Sequence, residues 1–118
     1  MTSVAGPGYV AAVLKLYVDL PDTPRRASAY DRAVARAFLE RGVPLDIVES
    51  ALLLGSLRRN RPAGTLSLPP VRSIAYFTPV IDEILQHPLP AGYRVSIRSK
   101  ADQHLRPEVQ KTTFSSDR

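Results

Sequence analysis

The stretch YDRAVARAFLERGVPLDIVESALLLGSLRRNR, Tyr30 to Arg61, decides the fold. It reads as two helical segments that meet at Arg41-Gly42-Val43-Pro44. Gly42 can close a helix in the left-handed conformation without a Cβ penalty, and Pro44 suits a first helical turn, where no amide donor is needed. Ser28 stands three residues before Asp31, a shortened capping box, so the earlier helix should start there and run to about Arg41. Its apolar face is predicted to be Tyr30, Val34, Ala37, Phe38 and Leu39, with Arg32, Arg36, Glu40 and Arg41 pointing mainly away. The later helix, Pro44 to about Asn60, is apolar over a wide arc through Leu45, Val48, Ala51, Leu52, Leu53, Leu54 and Leu57. A helix this apolar belongs at the centre of a core. Asp46 and Glu49 in its first turns and Arg58 and Arg59 in its last match the helix dipole at both ends.

Working outward, Tyr9 to Leu20 places Val10, Val13, Leu14, Tyr17 and Val18 on one helical stripe. Val and Tyr leave a strand open here, but Ala11, Ala12, Leu14, Lys15 and Leu16 tilt the propensity toward helix. The connector from Pro21 to Arg26 carries two prolines and breaks it. Residues 61–70, with three prolines and a glycine, read as loop. Val71 to Leu85 repeats at helical spacing but is interrupted by Pro79, which predicts a kinked helix or two short ones, with Thr78 as a cap. Gly92 to about Leu105 is a weaker helix with Tyr93, Ile97 and Ala101 inward; Val95, Ser96 and Ile97 leave a strand open. The expected fold is an all-α, single-domain bundle of four to five helices over residues 1–106, with a helix-turn-helix-like pair at 29–59. The polar end, 107–118, is expected to be a disordered tail.

At 118 residues the chain can bury one core without metals or disulfides, and it has no cysteine. Disulfides, thiolate zinc sites and cysteine nucleophiles are therefore excluded. Lys15 and Asp19 break the apolar run Tyr9 to Leu20, which makes neither a secretory signal nor a membrane span of about twenty residues. A cytoplasmic protein that does not engage membranes is expected. The formal charge of +5, from 16 basic and 11 acidic residues, rests mostly on arginine, which favours bidentate contact with phosphate or carboxylate.

The candidate binding residues are Arg58, Arg59, Arg61 and Arg72, which bracket the proline-containing loop, with no acid between Glu49 and Asp82 to offset them. On phosphates each would add to salt dependence without conferring sequence preference. A second basic set, Arg94, Arg98, Lys100 and Arg106, shares a face if the last segment is helical. Arg72, Ser73 and Tyr76 are minor candidates for stacking or phosphate contact, since Ile74 and Phe77 belong to the apolar stripe. Major-groove reading by the helix after Gly42 is disfavoured by Asp46 and Glu49, which phosphates repel. No catalytic constellation is evident: neither His87 nor His104 has a carboxylate at a fixing distance, and neighbours Asp82 and Glu83 point in different directions on a helix. No metal cluster, phosphate loop or cofactor is expected.

The segments Gly42-Val43-Pro44-Leu45-Asp46-Ile47-Val48-Glu49-Ser50-Ala51-Leu52 and Ile74-Ala75-Tyr76-Phe77-Thr78-Pro79-Val80-Ile81-Asp82-Glu83-Ile84-Leu85 resemble the helical C-terminal region of plasmid, phage and primosomal replication proteins of the DnaD type. This chain differs by Pro79 and by lacking an aromatic residue after Ile84-Leu85. It is also similar to short proteins encoded near bacterial mobile elements. The resemblance implies contact with DNA or with replication partners. The expected function is a small, non-enzymatic, DNA-binding accessory protein of replication or of a mobile element. The alternative is an adaptor or inhibitor whose basic surface meets an acidic protein, with the apolar edge of the first helix forming a homodimer or partner contact.

Overall fold

Ser28 and Asp31 start the second helix by satisfying each other's backbone. The Asp31 N–H donates to Ser28 Oγ at 3.0 Å and the Ser28 N–H donates to Asp31 Oδ2 at 2.9 Å, a full capping box. The computed structural model describes residues 6–59 and 68–104. Among them the chain is an all-α bundle: α1 (Gly6–Val18), α2 (Ala29–Glu40), α3 (Leu45–Arg59), a 3-10 turn (Ile74–Phe77), α4 (Thr78–Gln86) and α5 (Tyr93–His104). The expected tail at 107–118 lies outside the described residues.

α2 ends as its sequence requires. Gly42 has a φ of +75°, its N–H donates to the Leu39 carbonyl, and the Val43 N–H donates to the Phe38 carbonyl. These two bonds form a Schellman cap, and Val43 is buried behind it. Pro44 precedes α3 instead of opening it, because its carbonyl accepts from the Ile47 and Val48 N–H groups. Tyr9 Oη donates to the Val43 carbonyl at 2.8 Å, so the start of α1 meets the end of α2. α1 and α2 are thus antiparallel.

α3 is the central element, touching α1, α4, α5 and the 3-10 turn. Val48, Ala51 and Leu52 are buried with Val13, Tyr17, Phe38, Ile74, Phe77, Ile81 and Ile84 in one core. Ser73 starts the 3-10 turn, its Oγ accepting from the Ala75 N–H at 3.0 Å. Pro79 then sits in the first turn of α4, where its missing amide costs nothing. Thr78 is the first residue of that helix rather than its cap, and Phe77 at the cap position makes no side-chain bond.

The inward face of α2 differs from the expected one. Asp31, Ala35 and Phe38 are buried, whereas Tyr30 is 60% exposed and Ala37 is also exposed. The cause is Asp31, which is polar but only 1% exposed because its carboxylate has backbone partners on both sides. Beyond Ser28, it accepts from the Ile74 N–H at 3.0 Å, at the start of the 3-10 turn. Buried polar groups are tolerated when hydrogen-bonded, and turning α2 inward at Asp31 necessarily turns Tyr30 out. In α5, Ile97 and Ala101 face inward, but Tyr93, at the start of the helix, stays 41% exposed.

Gly55, in the interior of α3, marks a close approach. A Cβ built there would lie 2.7 Å from Phe77 Cδ1 and 2.8 Å from Cε1, and the Phe77 ring is fully buried and cannot swing away. Gly55→Ala gains about 1 kcal/mol of helix propensity but overpacks a core at a typical cost of about 1–3 kcal/mol. We expect net destabilisation, read as a lower urea midpoint at unchanged slope.

Burial alone would raise the Asp31 carboxyl pKa, but hydrogen bonds from Ser28 and Ile74, with a further one from Ser73, outweigh it and hold the group below its ordinary value. A folded-state value below the unfolded one gives stability that is present above the unfolded pKa. That stability is lost as pH falls through the lowered folded value. Asp31→Asn should therefore cost about 1–3 kcal/mol at neutral pH. Its deficit against wild type should shrink once pH drops below the ordinary aspartate range, measured by urea unfolding from pH 7 to pH 2.

Candidate functional site

Most of the arginines singled out by sequence are tied to acids within the fold. Arg58 at the end of α3 is bidentate to Glu83 of α4, with Nη1–Oε1 at 2.9 Å and Nη2–Oε2 at 2.7 Å. These hydrogen bonds and the guanidinium charge hold the Glu83 carboxyl below its ordinary value. Arg94 and Arg98 of α5 pair with Asp46 and Glu49 of α3. Those two acids were expected to repel phosphate; in the fold they anchor α5. Asp46, Glu49, Ser50 and Leu53 share a cleft with Gly92, Arg94, Val95 and Arg98, so α5 lies across part of the first half of α3.

Arg59 is enclosed, with its side chain only 9% exposed. Its Nη2 donates to the Pro69 carbonyl at 2.6 Å and lies 3.5 Å from Asp22 Oδ2. Its guanidinium stands 5.3 Å from the centre of the Tyr76 ring. Asp22, at φ +64°, also accepts the Val71 N–H through its carbonyl at 2.9 Å. Arg59 thus joins the α1–α2 connector, the end of α3 and the approach to the 3-10 turn. Ser73 and Tyr76 are likewise occupied by these internal contacts. Arg61 lies outside the described residues. Arg72 is exposed and has no ion pair or hydrogen bond among the described residues.

The cations left without internal partners among the described residues include Arg26, Arg32, Arg36 and Lys100 as well as Arg72. Arg32 and Arg36 are four apart on α2 and stand together beside an open groove of about 360 Å³ between α1 and α2. Pro7, Val10, Ala11 and Leu14 of α1 line the rest of it. Sequence reasoning placed these two arginines on the outer face of α2 but did not nominate them. The available signal was a like-charged i, i+4 pair with no acid among the helical neighbours of Arg32.

The described residues contain no group of three or more His, Asp or Glu side chains able to hold a metal ion. None of their helices is long and apolar enough to cross a membrane. No protein-family model, curated protein or solved structure matches the chain.

The tied arginines should differ in what their removal costs. Arg59→Ala removes an enclosed side chain and its bond to Pro69, and should destabilise the protein by about 1–3 kcal/mol. Arg94→Ala and Arg98→Ala break solvent-exposed pairs, worth about 0–1 kcal/mol each and less at high salt. Thermal unfolding at low and high salt should rank them in that order.

Proposed function

We propose that this protein is a non-enzymatic binding module for an acidic protein partner, with Arg32 and Arg36 of α2 as its principal contacts. The observation that carries this reading is their position: two arginines without internal partners among the described residues, lining an apolar groove. An arginine already paired with a carboxylate must leave it to bind a new anion, and the abandoned carboxylate then repels that anion. Arg58, Arg94 and Arg98 carry this cost, and Arg59 would also lose its packing. Arg32 and Arg36 do not.

The second reading is a DNA-binding accessory protein of replication or of a mobile element, acting in the cytoplasm. It is supported by the excess of positive charge and by Arg72, unpaired among the described residues, which would act with Arg26 and the α2 arginines on phosphates. Phosphate contact would leave the apolar groove in water, and for that reason the acidic protein is the better fit.

Fluorescence anisotropy separates the two readings. Labelled glutamate-rich polypeptide, duplex DNA and single-stranded DNA would be titrated at low and near-physiological salt. Arg32→Ala/Arg36→Ala should weaken polypeptide binding about tenfold, as expected from losing two exposed charge contacts, while Arg94→Ala/Arg98→Ala should leave it unchanged. DNA binding that falls steeply with salt and depends on Arg72, without polypeptide binding, would move the conclusion to the accessory reading. Failure of all three ligands to bind at low salt would remove both.

A further inference from the structure

We propose that the α1–α2 groove seats an amphipathic helix of the partner, its apolar stripe on α1 and its carboxylates on Arg32 and Arg36. This rests on the preceding reading and names the kind of segment those arginines hold.

α1 has more apolar surface than the fold covers. Val13 and Tyr17 are fully buried in the core, and Lys15 is the one charged residue within the helix. A second row, Pro7, Val10, Ala11 and Leu14, follows the i, i+3, i+4, i+7 spacing of a single helical stripe and spans about 10 Å along the axis. Pro7 and Ala11 are exposed, Leu14 is half-buried against the core, and Val10 is buried at the base of the row, so the open part of the stripe is Pro7, Ala11 and the outer side of Leu14. An open stripe of this kind fits a second helix laid alongside it, since helix-in-groove recognition is read through the same spacing.

The charged wall of the groove sets the other half of the partner's pattern. Arg32 and Arg36 sit one turn apart, about 5–6 Å between Cβ atoms, and such like-charge pairs are mutually repulsive. Carboxylates three or four residues apart on a docked helix match that spacing and relieve the repulsion. The arginine stems meanwhile extend the apolar wall of the groove.

Other occupants fit less well. A second copy docked symmetrically through this face would offer Arg32 and Arg36 no carboxylate, since the residues that line the groove include no acid. Within this chain, residues 1–5 and 60–67 contain no acid, and in 105–118 the acids Glu108 and Asp117 are too far apart to share one helical turn. Glu40, the exposed acid of α2, is one turn beyond Arg36 and does not line the groove.

The test uses the full chain and a labelled peptide of about 18 residues, long enough to hold a helix, with leucines at i, i+3, i+4, i+7 and glutamates flanking them. A control has the same composition in scrambled order. The patterned peptide should bind at least tenfold more tightly than the scrambled one at near-physiological salt. Ala11→Asp, a change at an exposed site, should abolish that preference, and so should Arg32→Glu/Arg36→Glu; circular dichroism would verify folding of both variants. Equal, salt-labile binding of both peptides that requires Arg32 and Arg36 would overturn the groove proposal and leave the acidic-partner reading standing. Binding of DNA alone, with neither peptide, would overturn both. Oleate displacing the peptide from the wild type and binding more tightly than it would assign the groove to a small amphiphile and overturn the helix proposal. A concentration-dependent dimer by analytical ultracentrifugation that Ala11→Asp disrupts would do the same in favour of a second copy.

Discussion

The Asp31 carboxylate is the constraint around which the rest of the bundle is arranged. It accepts the Ser28 N–H at the start of α2 and the Ile74 N–H at the start of the 3-10 turn, 43 residues further on. Taking a carboxylate out of water costs several kcal/mol unless backbone donors replace its hydration, and here the open N-terminal ends of two helical segments supply them. The negative charge also favours both ends. Once Ile74 is held, Phe77 is carried against Gly55 of α3 and against Tyr17 of α1, whose ring it meets edge-on at 6.3 Å. Tyr17 Oη is fully buried and has no hydrogen-bond partner among the described residues, a desolvation cost that the burial of its ring must offset. Its pKa is raised, first by burial and then by the Asp31 charge.

Around this centre, arginine serves mainly as a tie between helices. Arg41 pairs with Asp82 at 2.7 Å, joining the end of α2 to α4, and Arg58 with Glu83 joins α3 to α4. Arg94 and Arg98 hold α5, whose buried residues are few. Each exposed pair contributes little to stability, but together they specify how neighbouring helices register. Their further consequence is electrostatic. The segment between Glu49 and Asp82, wholly without acids in sequence, is offset in space by Glu83 and Asp22 from other elements.

Among the described residues, the unpaired positive charge therefore lies on Arg26, Arg32, Arg36, Arg72 and Lys100 rather than on Arg58, Arg59, Arg94 and Arg98. On α2, Arg32 and Arg36 meet no carboxylate among the described residues, and the neighbouring stripe of α1 is apolar without being fully covered. Apolar surface and unpaired charge placed side by side are complementary to a ligand that carries both features in the same order. A uniformly charged polymer supplies one of them.

The sequence by itself determined α2, α3 and the start of α4, because those depend on local chemistry: the Ser28–Asp31 box, the Gly42 cap, the Pro79 start and the periodicity of α3; for the first and last helices it left a strand open. It also determined that α3 is central, since a helix apolar over so wide an arc must be covered on several sides. Tertiary structure decided which polar groups are spent inside the fold. Asp31 was legible as a helix cap, but not as the acceptor of the Ile74 N–H, and Arg58, Arg59, Arg94 and Arg98 read as candidate binding residues until Glu83, Asp22, Asp46 and Glu49 came within reach. Those partners lie 25 to 49 residues away in the chain, and local periodicity carries no information about contacts at that separation. Only the packing of α1 against α2 could decide that Arg32 and Arg36 stand beside an apolar groove, because a groove is made by two helices and belongs to neither alone.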